Sequence, residues 1–227
     1  MGYEYVVKYI PVNPKRRPGR KIAPQYLTIH STGNEKSTAR GERAWLENPS
    51  NTRTASWHIC VDEKEAIEAI PLDEMAYHAG TTAGNTQSIS IEICESGDRQ
   101  KTLDNAIKLT ASILRQRGWG IDRLRRHYDW SGKVCPRILS QNNWAGWKDF
   151  VDNVRGEMII QEVTTMFKDV AENRASRKSI ERVAQLGIFV GYDGKFYPDT
   201  GVTREELAVV LDRLLNVIST LIKEGKL

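Results

Sequence analysis

Cysteine is scarce in this 227-residue chain. There are three, Cys60, Cys94 and Cys135, an odd number that excludes the paired framework of a small disulfide-stapled domain. Cys60 and Cys94 sit in apolar, strand-like runs and are expected to be buried free thiols in a protein made in a reducing cytoplasm. No apolar run approaches the roughly 18 residues of a membrane span, so no membrane partner is expected. The opening MGYEYVVKYIPVN has no apolar stretch after a basic start, and Val6 stands where a myristoylation signal needs Ser or Thr. The net charge is only +4, and residues 162–227 contribute none of it. The basic clusters KRRPGRK (15–21) and RLRR (123–126) lack interleaved aromatics and any reading motif, so no nucleic-acid partner is expected either. A weakly positive surface suits approach to polyanions in general. With 40% hydrophobic and 27% charged residues the chain is nonetheless an ordinary globular one rather than a disordered one.

What is present falls into two parts. QYLTIH (25–30) alternates, with Leu27 and Ile29 on one face and Tyr26, Thr28 and His30 on the other. ARGERAWLEN predicts a short helix stopped before Pro49. ASWHICV and EAIEAIP predict two strands joined around Asp62–Lys64. SISIEIC (88–94) is the clearest strand, with Ile89, Ile91 and Ile93 opposite Ser90, Glu92 and Cys94. A helix should follow, with Leu103, Ile107, Ala111 and Leu114 at helical spacing and Gly118 as its stop, and NWAGWKDFVDNVRG predicts another. The expected fold is α/β: a mixed central β-sheet flanked by helices over 1–157, a linker at 158–162, and a small all-α domain over 163–227. In that domain Ile180, Val183 and Ala184 form one helical stripe. Thr203 and Glu206 read as a capping box for a long helix striped by Leu207, Val210, Leu211, Leu214, Leu215, Ile218 and Ile222.

Only four histidines occur, and RRHYDWSGKVCP (125–136) places His127 beside Cys135 in a stretch without helical or strand periodicity. It admits two readings: an ordinary loop, or two ligands of a metal site completed elsewhere. His30, at the polar face of a strand end followed by STGN, is a candidate third ligand, with His58 and His78 as the remaining histidines. No HExxH signature is present. Glu92, by itself, reads first as a surface carboxylate with an arginine partner.

The stretches LTIHSTGN, SWHICVDEKEAIEAIPLDEMAYHAG, GNTQSISIEIC and RGWGIDRLRRHYDWSGKVCPRIL, with the tryptophan-bearing helix after them, resemble one family. It is that of the zinc-dependent N-acetylmuramoyl-L-alanine amidases (amidase-2, or peptidoglycan-recognition-protein-like), especially phage endolysins and bacterial autolysins. The resemblance runs from about Leu27 to Trp147. It implies one Zn²⁺ held by His30, His127 and Cys135, with Glu92 as catalytic proton carrier and Lys133 assisting. It further implies that Trp57, His58, His78, Thr32 and Asn34 lie at the substrate groove, with Trp130 a candidate for its wall. The implied reaction is hydrolysis of the amide between N-acetylmuramic acid and the L-alanine of the stem peptide. A non-catalytic peptidoglycan-binding protein on the same fold is the alternative. Such binders typically lose the cysteine ligand, which is present here.

FKDV, the helix ending in LG, GYDGKFYPD and VTREE resemble one S-layer homology module. That implies contact with a secondary cell-wall polymer, with Arg204 the candidate residue, or homo-oligomerisation through the long apolar helix. The tryptophan usual early in the first helix of such modules is missing around Ala175, and one copy stands where relatives commonly assemble three. Synthesis in a host cytoplasm without a signal peptide, followed by action on the wall after phage lysis or export, is the expected itinerary.

Overall fold

Ile89, Ile91 and Ile93 form an unbroken apolar row on the strand Ser88–Ile93, and in the computed structural model all three are fully buried. Residues 2–164 and 167–223 are described. They divide into two units, Met1–Glu157 and Met158–Leu227.

In chain order the first unit holds β1 (Glu4–Val7), β2 (Tyr26–Ser31), α1 (Ala39–Glu47), β3 (Ile59–Val61), β4 (Glu65–Glu68), α2 (Thr82–Gln87) and β5 (Ser88–Ile93). These are followed by α3 (Arg99–Gln116), β6 (Leu124–Arg126), α4 (Tyr128–Ser131) and α5 (Gln141–Thr164), whose turns from Met158 onward fall in the second unit. The sheet order is β1-β4-β3-β5-β2-β6. Only β3 and β4 pair antiparallel; the other neighbours are parallel. Parallel strands are covered on both faces, so β2 and β5 bury the polar residues Thr28, His30, Ser88 and Ser90 along with their apolar ones. In that register His30 lies opposite Glu92.

Local signals explain the helices. Thr38 caps α1 by accepting from the Gly41 amide, and Asp98 caps α3 through the Lys101 amide. Gly118, at φ 64°, supplies the left-handed residue beyond the end of α3. The buried face of α3 keeps Ala111 and Leu114 of the expected stripe and adds Ala106, Leu109 and Ile113, whereas Leu103 and Ile107 stand half-buried at its margin. Polar residues on that face disguised it. Asn105 is buried there and donates to the Asp62 carbonyl at 3.0 Å.

Three further departures concern segments read otherwise from the sequence. β1 was not anticipated; it is a mostly exposed edge strand without alternation. RLRR, read as a basic cluster, contributes β6, whose Leu124 is buried while Arg125 and Arg126 lie over the rings of Tyr26 and Trp144. Residues 158–162, expected as a linker, are helical and belong to the later turns of α5. Near the start of α5, Asn142, Asn143 and Trp144 take left-handed dihedrals before the right-handed helix begins.

The second unit adds α6 (Arg177–Gln185) and α7 (Arg204–Lys223). Phe167, Ile180 and Ala184 form its small core, with Val170 and Phe196 packed against them. The capping box of α7 is formed in both directions: the Glu206 amide donates to Thr203 Oγ1 at 3.1 Å, and the Thr203 amide donates to Glu206 Oε2 at 2.8 Å. Among the described residues no helix is long and apolar enough to cross a membrane.

Candidate metal centre

His30, at the end of β2, reaches the site because the sheet buries it; it is 2% exposed. His127 follows β6 directly and is anchored by its amide to the Ile29 carbonyl at 3.2 Å. Cys135 returns from the loop after α4, held where the Tyr128 amide donates to its carbonyl and the Arg137 amide donates to Ser31 Oγ. Arg137 in turn clamps Glu95 with two hydrogen bonds. Candidate ligand atoms of His30, His127 and Cys135 all lie within 4.8 Å of one another, and all three residues are buried. Cys135 Sγ is 3.8 Å from His30 Nδ1, and Glu92 Oε1 is 3.9 Å from the same nitrogen.

Burial leaves the imidazoles unprotonated and so free to ligate. Burial, then His78, His127 and Lys133, holds the His30 imidazole far below the usual histidine range, and burial with Lys133 lowers His127 to about 4, so both rings are neutral donors. Burial, with Glu92 secondary, pushes the Cys135 thiol up to about 12 in the metal-free chain. Burial first and the Glu42 carboxylate second raise Glu92 to about 8, against the Lys133 ammonium. His127 Nδ1 and Glu92 Oε2 are buried without a protein partner. Two neutral imidazoles, one thiol and two unpartnered buried polar atoms fit a borderline-soft divalent cation, which would hold the thiol as thiolate.

These residues open onto a cleft of about 350 Å³, which Lys133, Thr32, Asn34, Trp57 and His78 also line. Trp57 stacks on Trp45 at 5.7 Å, giving one wall an aromatic face. His58 is not at the cleft. It is fully buried behind it, with Nδ1 in hydrogen-bond contact with the Ser90 amide and Nε2 with the Glu74 carbonyl, so no ring atom is left for a substrate. Trp130 likewise turns away, donating to Thr28 Oγ1 at 2.9 Å and packing on Tyr26. Arg204 belongs to the second unit, exposed at the first turn of α7.

Sequence reasoning missed Glu42, Arg53 and Tyr77, which also line the cleft. Glu42 sits inside an ordinary amphipathic helix, where nothing in the spacing sets it apart from a solvated carboxylate.

Comparison with known proteins finds relatives for both parts of the chain. The family model described as N-acetylmuramoyl-L-alanine amidase matches residues 19–138, and that of the S-layer homology domain matches residues 167–208. The N-acetylmuramoyl-L-alanine amidase CwlA of Bacillus subtilis (strain 168) is 43% identical over 136 residues, covering 56% of this chain and 49% of that protein. XlyB of the same organism, with the same description, is 43% identical over 131 residues, 54% of this chain and 40% of its own length. The chain thus spans about half or less of the curated relatives it matches. The solved catalytic domain of XlyA superposes with a TM-score of 0.61 at 35% identity, covering 66% of this chain and 99% of that domain.

Proposed function

The chain belongs to the N-acetylmuramoyl-L-alanine amidase family, and on that premise we propose that it hydrolyses the amide between the lactyl group of N-acetylmuramic acid and the L-alanine of the peptidoglycan stem. One observation carries the reading. Three buried ligand-type side chains, His30, His127 and Cys135, converge beside the Glu92 carboxylate, one oxygen of which is buried and unpartnered, at the floor of an open cleft.

His30, His127 and Cys135 would hold a zinc ion. When bound, it supplies Lewis acidity toward the scissile carbonyl and makes water nucleophilic near neutral pH. Glu92 accepts one proton of the attacking water and delivers it to the leaving nitrogen as the C–N bond breaks, so that amide and water become carboxylic acid and amine, which part as carboxylate and ammonium once the acid gives up its proton. A buried carboxyl with its pKa raised toward neutrality serves both transfers. Lys133, exposed at the rim of the same cleft, offsets negative charge gathering on the carbonyl oxygen. Trp57 and Trp45 provide a flat apolar wall for the glycan or stem, and Thr32 and Asn34 form the polar rim.

The second unit, residues 163–227 with the turns of α5 before it, would hold the enzyme on the wall. Arg204 would contact a secondary polymer, or α7 would pair with a second copy through Leu211, Leu215 and Ile222, which are 50%, 62% and 60% exposed. The protein would work on the cell wall, as a phage endolysin or host autolysin.

The test is release of new L-alanine amino groups from purified peptidoglycan, with chelator, with zinc restored, and with Glu92→Ala. Zinc-dependent release that disappears in the variant supports the amidase. New reducing sugar ends would identify a different bond, and wall binding with no release would move the chain to recognition.

A further inference from the structure

His78 was expected at the substrate groove, yet it is only 8% exposed and most of its ring faces inward. Its Nδ1 lies 3.1 Å from His30 Nε2, with the two rings edge to face. Its Nε2 faces two oxygens of one residue, the Ser88 carbonyl at 3.3 Å and Ser88 Oγ at 3.4 Å. Which ring nitrogen carries the proton follows from what those oxygens can do.

A carbonyl only accepts. The Ser88 hydroxyl has one proton, and it is committed to the Gly84 carbonyl at 2.7 Å. The same oxygen accepts from Thr28 Oγ1 at 2.8 Å, and Thr28 Oγ1 accepts from Trp130 Nε1 at 2.9 Å. The indole can only donate, so the direction of the whole chain is fixed from Trp130 to Gly84. Ser88 therefore presents only acceptors to His78, and His78 Nε2 bears the hydrogen. Buried among imidazoles, with no carboxylate in hydrogen-bond contact among the described residues, the ring is neutral and its Nδ1 is bare. His30 Nε2 must then be the donor across the 3.1 Å contact. That leaves the lone pair of His30 Nδ1 free on the side of Cys135 and Glu92.

We infer that His78 is a positioning residue which, oriented by Ser88, locks His30 in the tautomer whose Nδ1 is open to the metal. The inference rests on the metal-site reading above but not on the identity of the substrate. The opposite tautomer would aim an N–H at the cation. Ligating histidines are generally fixed by what their second nitrogen donates to; here the acceptor is another imidazole, itself set by a serine backbone.

The test uses the zinc-loaded full chain. Two-bond ¹H–¹⁵N correlations should show His30 and His78 both protonated at Nε2; protonation of His78 at Nδ1 overturns the inference. In parallel, competition with a chromophoric chelator measures zinc affinity for His78→Phe, which fills the space without an acceptor, and His78→Asn, whose amide oxygen can stand in for Nδ1. Affinity should fall about 10- to 100-fold in the first and recover largely in the second. Unchanged affinity in His78→Phe, or equal loss in both, overturns it. Should neither variant fold, the spectrum of the unaltered chain decides. Neither readout uses hydrolysis, so a chain with these tautomers that cleaves no amide defeats the amidase reading alone.

Discussion

The two units bury their side chains in opposite styles. In the first, the sheet encloses Ile29, Ile59, Ile89, Ile91 and Ile93 completely, and it encloses His30, His58, His78, Thr28, Ser88 and Ser90 almost as completely. In the second, among the described residues, a small cluster of Phe167, Ile180 and Ala184 makes the core, and a 20-residue helix leaves Leu207, Leu211, Leu215 and Ile222 at least 45% exposed. Burial of polar groups is costly unless they are hydrogen-bonded, so a structure that buries many has arranged partners for them. The first unit does this with short relays such as Trp130 to Thr28 to Ser88, and among the few buried atoms left unpaired are two beside the metal position, His127 Nδ1 and Glu92 Oε2. Enclosed polarity is thus the mark of a site that acts on a small group, and open apolar surface that of a unit which meets something large.

The sharpest way to break this contrast is chemical. Glu92→Gln removes the proposed proton carrier while keeping its shape, and kcat/KM on soluble muramyl peptides should fall about 10²- to 10⁴-fold with zinc content unchanged. Arg204→Ala, in the other unit, should leave that rate alone and weaken only sedimentation with intact walls. Equal effects of both changes on soluble substrate would erase the functional division between the units.

Zinc removal comes next. A ligand bound only by the native state, present at about a thousandfold its Kd, contributes roughly 4 kcal/mol. Chelation should therefore lower the melting of the first unit and leave the fluorescence or hydrogen-exchange signature of the second unmoved. The zinc-free chain should also show a pH signature. Glu92 has its pKa raised from 4.5 to about 8, so the native state holds a proton that the unfolded chain has lost. Its contribution to stability is full below pH 4.5 and is lost as pH rises through about 8. Urea midpoints measured across that window should decline, and the decline should be shallower in Glu92→Gln.

Packing gives a third comparison. Ile91→Ala opens a cavity in a fully buried strand and should cost about 2–5 kcal/mol in urea unfolding. Thr203→Ala removes one half of the α7 capping box and should cost about 1 kcal/mol.

The same contrast explains what could be read without coordinates. β5 and the β3–β4 pair were legible because alternation or bounded apolar runs mark buried strands, and the α7 capping box because it is a local hydrogen-bond pattern. β1 and β6 were not. Each is an edge strand of few residues whose charge or exposure hides the period, and both are defined by pairing with distant partners. At the site, residue types and a family resemblance pointed to His30, His127, Cys135 and Glu92, and the fold brings these together. His58 and His78 could not be told apart in the same way. Both are histidines on short segments near the sheet, and their roles separate only when Ser90 and Glu74 are seen to occupy one ring and Ser88 and His30 the other. Hydrogen-bond partners remote in sequence have no periodicity to betray them.

The smallest expected effect is the most informative about the second unit. Leu215 is 62% exposed on α7, so Leu215→Ala removes little buried surface and, in dilute solution, should shift stability by no more than about 0.5 kcal/mol. Alanine is also the better helix former, which works against any loss. That expectation holds only while the helix face meets water. If two copies associate through Leu211, Leu215 and Ile222, unfolding becomes concentration-dependent and the same substitution removes packed surface from both partners. Urea midpoints of the parent and Leu215→Ala chains, compared at low and high protein concentration, separate the cases. Curves that stay superimposed at both concentrations leave the apolar face to a wall polymer. Curves that part as concentration rises assign it to a second copy of the chain.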